Sequence, residues 1–139
     1  MSSVGLSPYL ANSWLNMLRG TAFTAPSAIY AQLHTAVPGA AGTTGLSAGT
    51  ATGTASDVRK AIAHAAASGG SLSITGTAPS WSCSVASVSE TLAYISFWDA
   101  VSSGNFLWAA ALNSSRAWAT GDTYTLSTDV LSLAPIAAN

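Results

Sequence analysis

The sequence predicts a mainly β protein, an antiparallel β-sandwich of jelly-roll-like form with one N-terminal α-helix. Several short stretches alternate apolar and polar residues, which is the pattern of strands with one buried face. Turn-forming residues separate these stretches about every 8–12 residues, as in β-sandwiches. The clearest helical spacing lies near the start of the chain. Because 139 residues suit one domain, we expect a single domain over 1–139, with the helix in 1–20 and the sandwich in 28–134.

The N-terminal helix has signals at both of its ends. Ser7 can cap the first turn, Pro8 suits the first helical position, and Gly20 suits the end. Polar residues fall mostly between the apolar ones, so we expect an amphipathic helix of about three turns. Its apolar stripe fits either core packing or a docking face for a neighbouring subunit. The apolar positions at helical spacing are Leu10, Trp14, Met17 and Leu18.

Strand candidates cover most of the remaining chain. Residues 29–34 alternate between two faces, and residues 92–98 place Ile95 and Phe97 on the face opposite Trp98. The other candidates are the alternating series Phe106, Trp108, Ala110 and Leu112 after a hairpin loop at 99–105, a strand pair at 124–126 and 130–133 joined through 127–129, and weaker strands at 71–75 and 80–85.

Residues 57–67 permit two structures. Helix propensity is good there, and Gly69 could end a helix. The same residues could also alternate on a strand, with Val58 and Ile62 on one face. Intrinsic propensity is a weak guide where tertiary packing competes with it. The residues alone leave both structures open, and the family resemblance given below favours the strand.

Residues 37–56 are rich in Gly, Ala and Thr and lack both periodicity and large side chains. Such a segment buries too little apolar surface to offset the entropy lost when it is ordered, so it predicts a flexible loop. Its length exceeds that of most loops, which indicates a functional arm or one that assembly puts in order.

Charged residues are scarce: the chain has four basic and five acidic residues and a formal net charge of −1. Protein interfaces are depleted in such side chains, because ordering and desolvating them is costly. We therefore expect the chain to pack against copies of itself. The dispersed basic residues form no stripe for phosphates, which argues against nucleic-acid binding. Polar residues interrupt every apolar run before about 20 residues, which argues against membrane insertion.

The sequence contains no recognisable catalytic, metal-binding or cofactor-binding motif. His34 and His64 lack the neighbours of a zinc motif, and the lone Cys83 fits a buried thiol. Glu90 and Asp99 fall on one predicted strand, about 30 Å apart, which is too far for the carboxylate pair of a glycosidase. The sequence therefore predicts no enzyme, no cofactor and no metal.

Four aromatic residues on adjacent predicted strands could form one cross-strand patch. If buried, the patch would belong to the core or to an interface. If exposed, it could stack against sugar rings. Burial is the commoner outcome, because aromatic pairs across strands stabilise a sheet without any ligand. The four residues are Tyr94, Trp98, Phe106 and Trp108.

Several motifs, in order along nearly the whole chain, carry a family resemblance. They are Gly5-Leu-Ser-Pro-Tyr-Leu-Ala-Asn, Tyr30-Ala-Gln-Leu-His-Thr with Pro38-Gly, Arg59-Lys-Ala with Ala65-Ala-Ala-Ser-Gly-Gly, Ile95-Ser-Phe-Trp-Asp-Ala with Gly104-Asn-Phe-Leu, and Ala119-Thr-Gly-Asp-Thr-Tyr-Thr-Leu. Together they resemble small tail fibre or minor tail proteins of tailed phages that infect actinobacteria. The resemblance implies a mainly β virion component without enzyme activity, and a strand over Arg59-Lys-Ala.

We therefore predict a non-enzymatic structural protein of the virion, made in the host cytoplasm and associated with the tail. It is expected to form a homo-oligomer and to contact other virion proteins. The alternatives are a module that binds a receptor or host cell-surface glycan, and a capsid decoration protein. The candidate oligomer contacts are Leu6, Tyr9, Trp14 and Leu18.

Overall fold

The computed structural model describes residues 4–50 and 54–133. Strands alternate with turns along most of this length, and the longer of two helices lies near the start. The elements are β1 (Gly5–Leu6), α1 (Pro8–Met17), β2 (Ile29–His34), α2 (Ala55–Val58), β3 (Arg59–His64), β4 (Ser71–Thr75), β5 (Ser80–Ser82), β6 (Ser89–Trp98), β7 (Phe106–Ala119), β8 (Thr123–Thr125) and β9 (Val130–Ser132).

The strands form two antiparallel sheets of unequal size. Seven strands make one curled sheet in the order β1-β7-β6-β2-β3-β4-β9, and β5 pairs with β8 in a second sheet of two strands. The predicted mainly β class with one N-terminal helix is confirmed. The longest pairing joins β6 and β7 across the hairpin loop at 99–105, which the sequence also predicted.

Helix α1 begins at its predicted cap and ends at Met17, three residues before Gly20. The Ser7 side chain accepts a hydrogen bond from the backbone N–H of Leu10 at 3.0 Å, and Pro8 occupies the first turn. Gly20 has a φ of +84°, and its N–H bonds to the Met17 carbonyl. A residue without a Cβ adopts this left-handed conformation readily, so Gly20 turns the chain away from the helix.

One face of the large sheet, together with α1 and the small sheet, encloses the core. Phe97 on β6 stacks on Trp108 on β7, with ring centroids 4.3 Å apart. Ile95 lies on the same face of β6 as Phe97, as its alternation predicted. The larger side chains of this core are Leu10, Leu33, Ile62, Trp81, Leu92, Ile95, Phe97, Leu107, Trp108, Trp118 and Leu126.

The contested segment at 57–67 forms a strand after one turn of helix. Strand β3 pairs with β2 on one side and with β4 on the other, which confirms the strand over Arg59–His64. Asp57 instead lies in α2, where its side chain accepts hydrogen bonds from the backbone N–H and the hydroxyl of Thr54. Ladder hydrogen bonds to two neighbours outweigh the helix propensity of this segment.

Strands β8 and β9 do not pair with each other, so the predicted strand pair at 124–126 and 130–133 is wrong in its partners. Trp81 on β5 pairs with Tyr124 on β8, whereas Leu72 on β4 pairs with Leu131 on β9. Residues 127–129 therefore carry the chain from the small sheet to the edge of the large one. Close spacing in sequence suggested a hairpin, but the ladder hydrogen bonds of these two strands go to the more distant strands β5 and β4.

Candidate assembly and recognition surfaces

The end of α1 presents an apolar surface, which we call the helix-end surface. Leu15, Met17 and Leu18 are exposed over 63%, 52% and 82% of their area. With Trp14 and Leu133, these three side chains line a shallow groove. Leu15, Met17 and Leu133 were not among the predicted oligomer contacts. Met17 belongs to the predicted apolar stripe, and Leu15 lies three residues before Leu18, which places it on the same side of the helix.

The four predicted oligomer contacts do not share one surface. Leu6 and Trp14 pack against the core of their own chain. Tyr9 and Leu18 are both exposed, but nine residues at about 100° each place them on opposite sides of the helix axis. Of the four, Leu18 and the half-buried Trp14 belong to the helix-end surface.

The four aromatic residues predicted as one patch are divided between the two faces of the sheet. Trp98 pairs with Phe106, with ring centroids 5.5 Å apart, while Trp108 stacks on Phe97 on the other face. In the ladder between β6 and β7, Trp98 lies opposite Phe106 and the adjacent Phe97 lies opposite Trp108. Strand β7 therefore has one extra residue, Leu107, at this point. A β-bulge of this kind reverses the faces of the residues that follow it.

These aromatic side chains form no exposed platform. Trp98, Phe106 and Trp108 are buried, and Tyr94 is half-buried opposite Ala111 on β7. The sequence predicted a simple alternation of Phe106 and Trp108 on one face, and the bulge makes that prediction wrong. Nothing in the local residue pattern marks the bulge, because Leu107 is apolar like its neighbours.

Arg59 covers the outer side of the Trp98 ring. Its guanidinium carbon lies 3.7 Å from the ring centroid, within the range of a cation–π interaction. The guanidinium also donates to the Gln32 side chain at 3.0 Å and to the carbonyls of Ala100 and Ser103 at 2.9 and 2.7 Å. Arg59 therefore connects β2, β3 and the hairpin loop between β6 and β7.

A chain of hydrogen bonds continues from Trp98 into the adjacent loop. The Trp98 indole N–H donates to the Ser96 hydroxyl at 2.8 Å, and that hydroxyl lies 2.7 Å from Nε2 of His34. Nδ1 of His34 lies 2.8 Å from the Thr44 carbonyl, which can only accept. His34 therefore carries its proton on Nδ1 and accepts a hydrogen bond from Ser96 through Nε2. In this way it connects β6 to the loop that contains Thr44.

The pKa of His34 lies below its ordinary value of 6.5, mainly because the ring is buried; the Thr44 hydrogen bond raises the pKa and the charge of Arg59 lowers it. The unfolded chain thus takes up a proton as the pH falls through about 6.5, before the folded chain does. The contribution of neutral His34 to the free energy of unfolding is therefore complete above that pH and decreases below it. We expect urea unfolding from about pH 7.5 to about 5.5 to show this loss, at most about 1.4 kcal/mol per pH unit.

The substitution His34→Gln should remove this part of the pH dependence, whereas the matched change His64→Gln should leave it in place. An unaltered slope in His34→Gln would show that burial of this imidazole does not contribute to the acid sensitivity.

The loop predicted to be flexible, residues 37–56, has defined contacts over 37–50; residues 51–53 lie outside the described part. Glu90 on β6 accepts hydrogen bonds from the Ser47 hydroxyl at 2.5 Å and from the backbone N–H groups of Ala48 and Gly49 at 3.0 and 3.2 Å. Composition gave no indication of this anchor, because the carboxylate comes from a strand more than 40 positions further along the chain.

Gly49 lies where no side chain fits. A Cβ at this position would come within 3 Å of the Trp118 indole and the Cys83 sulfur. Gly42 approaches the rings of Trp98 and Phe106 as closely. The small residues that made this loop look featureless therefore allow its backbone to lie directly on large buried side chains.

The surroundings of Asp99 and Cys83 indicate that both residues stabilise the fold. Asp99 accepts hydrogen bonds from the backbone and side-chain nitrogens of Asn105, at 2.6 and 2.7 Å, and so closes the hairpin loop. Cys83 is buried as expected, and burial raises the pKa of its thiol.

In residues 4–50 and 54–133, no three His, Cys, Asp or Glu side chains cluster as a metal site would require. None of the helices described there has the length and apolar character needed to cross a membrane.

A β-rich chain with few charges and an exposed apolar helix end has the features of a structural protein that is built into an assembly. Comparison with protein families specifies the class further. The family model described as "Podophage GP4 fiber I protein gp80" matches residues 5–134, from β1 through β9. The chain belongs to this family, so the predicted membership of a phage tail fibre family, and of the virion, is confirmed. No curated protein matches the sequence.

Proposed function

We propose that the chain is a non-enzymatic, tail-associated fibre component that acts by packing against copies of itself. The observation that supports this best is the helix-end surface. In a chain with nine charged residues, Leu15, Met17 and Leu18 lie side by side in solvent. Contiguous apolar surface of this kind is typical of interaction sites. The host group implied by the sequence resemblance, actinobacteria, belongs to the same proposal.

A second copy is the occupant that this surface suits best. Its walls are the apolar side chains Trp14, Leu15, Met17, Leu18 and Leu133, so association removes no charged group from water. Burial of apolar area provides the driving force, at about 25 cal/mol per Å² before the costs of association. Arg19, the charged residue that follows the helix, is exposed and donates to the Asn16 side chain. It does not line the helix-end surface.

The substitution Leu18→Asp tests the proposal. Leu18 is 82% exposed, so an aspartate there should leave the fold intact, whereas in an interface it would bury an unpaired charge. We expect the self-association constant to fall at least about tenfold, measured by sedimentation velocity or native mass spectrometry. The change Trp14→Asp is less decisive, because Trp14 also packs on the core of its own chain.

The matched control is Asn12→Asp, which adds the same charge to an exposed position of α1 that does not line the helix-end surface. It should associate as the unaltered chain does. A chain that is monomeric at high concentration, or an unchanged mass in Leu18→Asp, would contradict self-packing through this surface. Labelled copies located on intact particles would then separate a fibre from the alternative of a capsid decoration protein.

A further inference from the structure

A groove of about 380 Å³ opens between the middle of β7 and residues 124–130. This volume lies within the range of small-molecule sites. Apolar and polar side chains share its walls, unlike the helix-end surface. The lining includes Ile95, Leu112, Asn113, Arg116, Tyr124 and Asp129.

An irregularity of β7 shapes this groove. Leu92 on β6 pairs with Arg116, but Tyr94, two residues later, pairs with Ala111. Strand β7 therefore contains three residues more than β6 between these pairs, and its backbone leaves the ladder at 112–115. Bulges of this kind are common beside binding sites, where they redirect side chains. Here the displaced residues form one wall of the groove.

Arg116 differs from the other basic residues of the chain. Within residues 4–50 and 54–133, its guanidinium forms no hydrogen bond or ion pair with the protein. It lies close enough to Tyr124 for its charge to affect that phenol. Each of the other three basic side chains has a partner: Arg19 bonds to Asn16, Arg59 to Gln32, and Lys60 to Asp57.

Two further groups in the groove can take part in recognition. The side chains of Tyr124 and Asn113 form no hydrogen bond with the described protein residues. Burial raises the pKa of Tyr124 and the charge of Arg116 lowers it. The phenolic O–H is a hydrogen-bond donor at neutral pH, as in any tyrosine. Asp129, which also lines the groove, instead contacts Nε2 of His64 at 3.0 Å.

We propose that this groove binds a saccharide unit that carries an anionic group, a carboxylate or a phosphate. The Arg116 guanidinium pairs with the anionic group, since its geometry suits two parallel hydrogen bonds to either acid. The apolar face of the sugar lies against Tyr124, and Asn113 bonds to a hydroxyl. The proposal rests on the fibre role, in which the chain is presented to a host surface.

The experiment titrates the full chain with three probes: glucuronic acid, glucose phosphate and methyl glucoside. Chemical-shift changes in the NMR spectrum report both the affinity and the residues affected. We expect the acidic sugars to shift resonances of Asn113, Arg116 and Tyr124. Arg116→Gln should weaken their binding about tenfold and remove the preference over methyl glucoside, because a hydrogen bond to a charged group is lost. The matched control Lys60→Gln should bind as the unaltered chain does.

Preference for glucuronic acid would indicate a uronic-acid polysaccharide, and preference for glucose phosphate a phosphorylated one; both support the proposal. No shift up to the solubility limit of the probes, equal affinity for methyl glucoside, or unaltered binding by Arg116→Gln would overturn it. The mass of the assembly distinguishes a failure of saccharide binding from a failure of self-packing. Arg116→Gln should leave that mass unchanged, since Arg116 lies outside the helix-end surface.

Discussion

Replacing Glu90 by alanine is expected to lower the free energy of unfolding by about 2–4 kcal/mol, because one carboxylate accepts three hydrogen bonds from the loop. The substitution leaves two backbone donors and one hydroxyl without this partner. Hydrogen exchange should therefore become faster at the amides of Ala48 and Gly49. Urea denaturation measures the first effect, and exchange followed by mass spectrometry or NMR measures the second.

Two variants make the Glu90 result specific. Glu90→Gln keeps the length of the side chain and one accepting oxygen, so its loss of stability should be smaller. Asp57→Asn alters a carboxylate that bonds to Thr54, and should leave exchange at residues 47–49 unchanged. If the loop amides exchange equally slowly in Glu90→Ala, then packing of Gly49 on Trp118, rather than the carboxylate, holds the loop.

The second large effect is expected for Trp98→Ala, at about 3–5 kcal/mol. The buried indole contacts Arg59 and Phe106, and its N–H donates to Ser96. Its removal creates a cavity beneath Gly42 and takes away one hydrogen bond of the path to His34. Chemical denaturation, with fluorescence of the remaining tryptophans as the signal, measures the loss.

Trp98→Phe separates packing from hydrogen bonding. A phenyl ring fills much of the same space but has no N–H, so this variant should lose about 0.5–1.5 kcal/mol for the bond to Ser96 and a part of the packing energy. The loss in Trp98→Ala should exceed it clearly. Equal losses in the two variants would mean that the ring contributes little beyond its N–H group.

Local signals in the sequence were sufficient to predict individual helices and strands. Ser7 and Pro8 start α1, and Gly20 turns the chain shortly after its end, because a cap and a left-handed residue act on backbone groups within a few positions. The alternation of Ile95 and Phe97 likewise gave the face of β6 that packs in the larger core, since side chains of a strand point to opposite faces in turn. These features depend on near neighbours in the chain.

Predictions failed where distant parts of the chain meet. Phe106 and Trp108 are two positions apart, yet a bulge opposite Phe97 puts them on different faces. Glu90 anchors a loop from more than 40 positions away, which composition cannot indicate. The candidate groove depends in the same way on Arg116, whose significance comes from the extra residues of β7 and from the segment that passes opposite it.

The sequence by itself determined the β class, the N-terminal helix and the scarcity of charge, and its motifs indicated the phage fibre family. The tertiary structure decided which strands pair, where β7 leaves its ladder, and which apolar side chains stay uncovered at the end of α1. The physical reason is that residue type sets local backbone preference and overall hydrophobicity, whereas register and exposure depend on hydrogen bonds and packing between residues far apart in the chain.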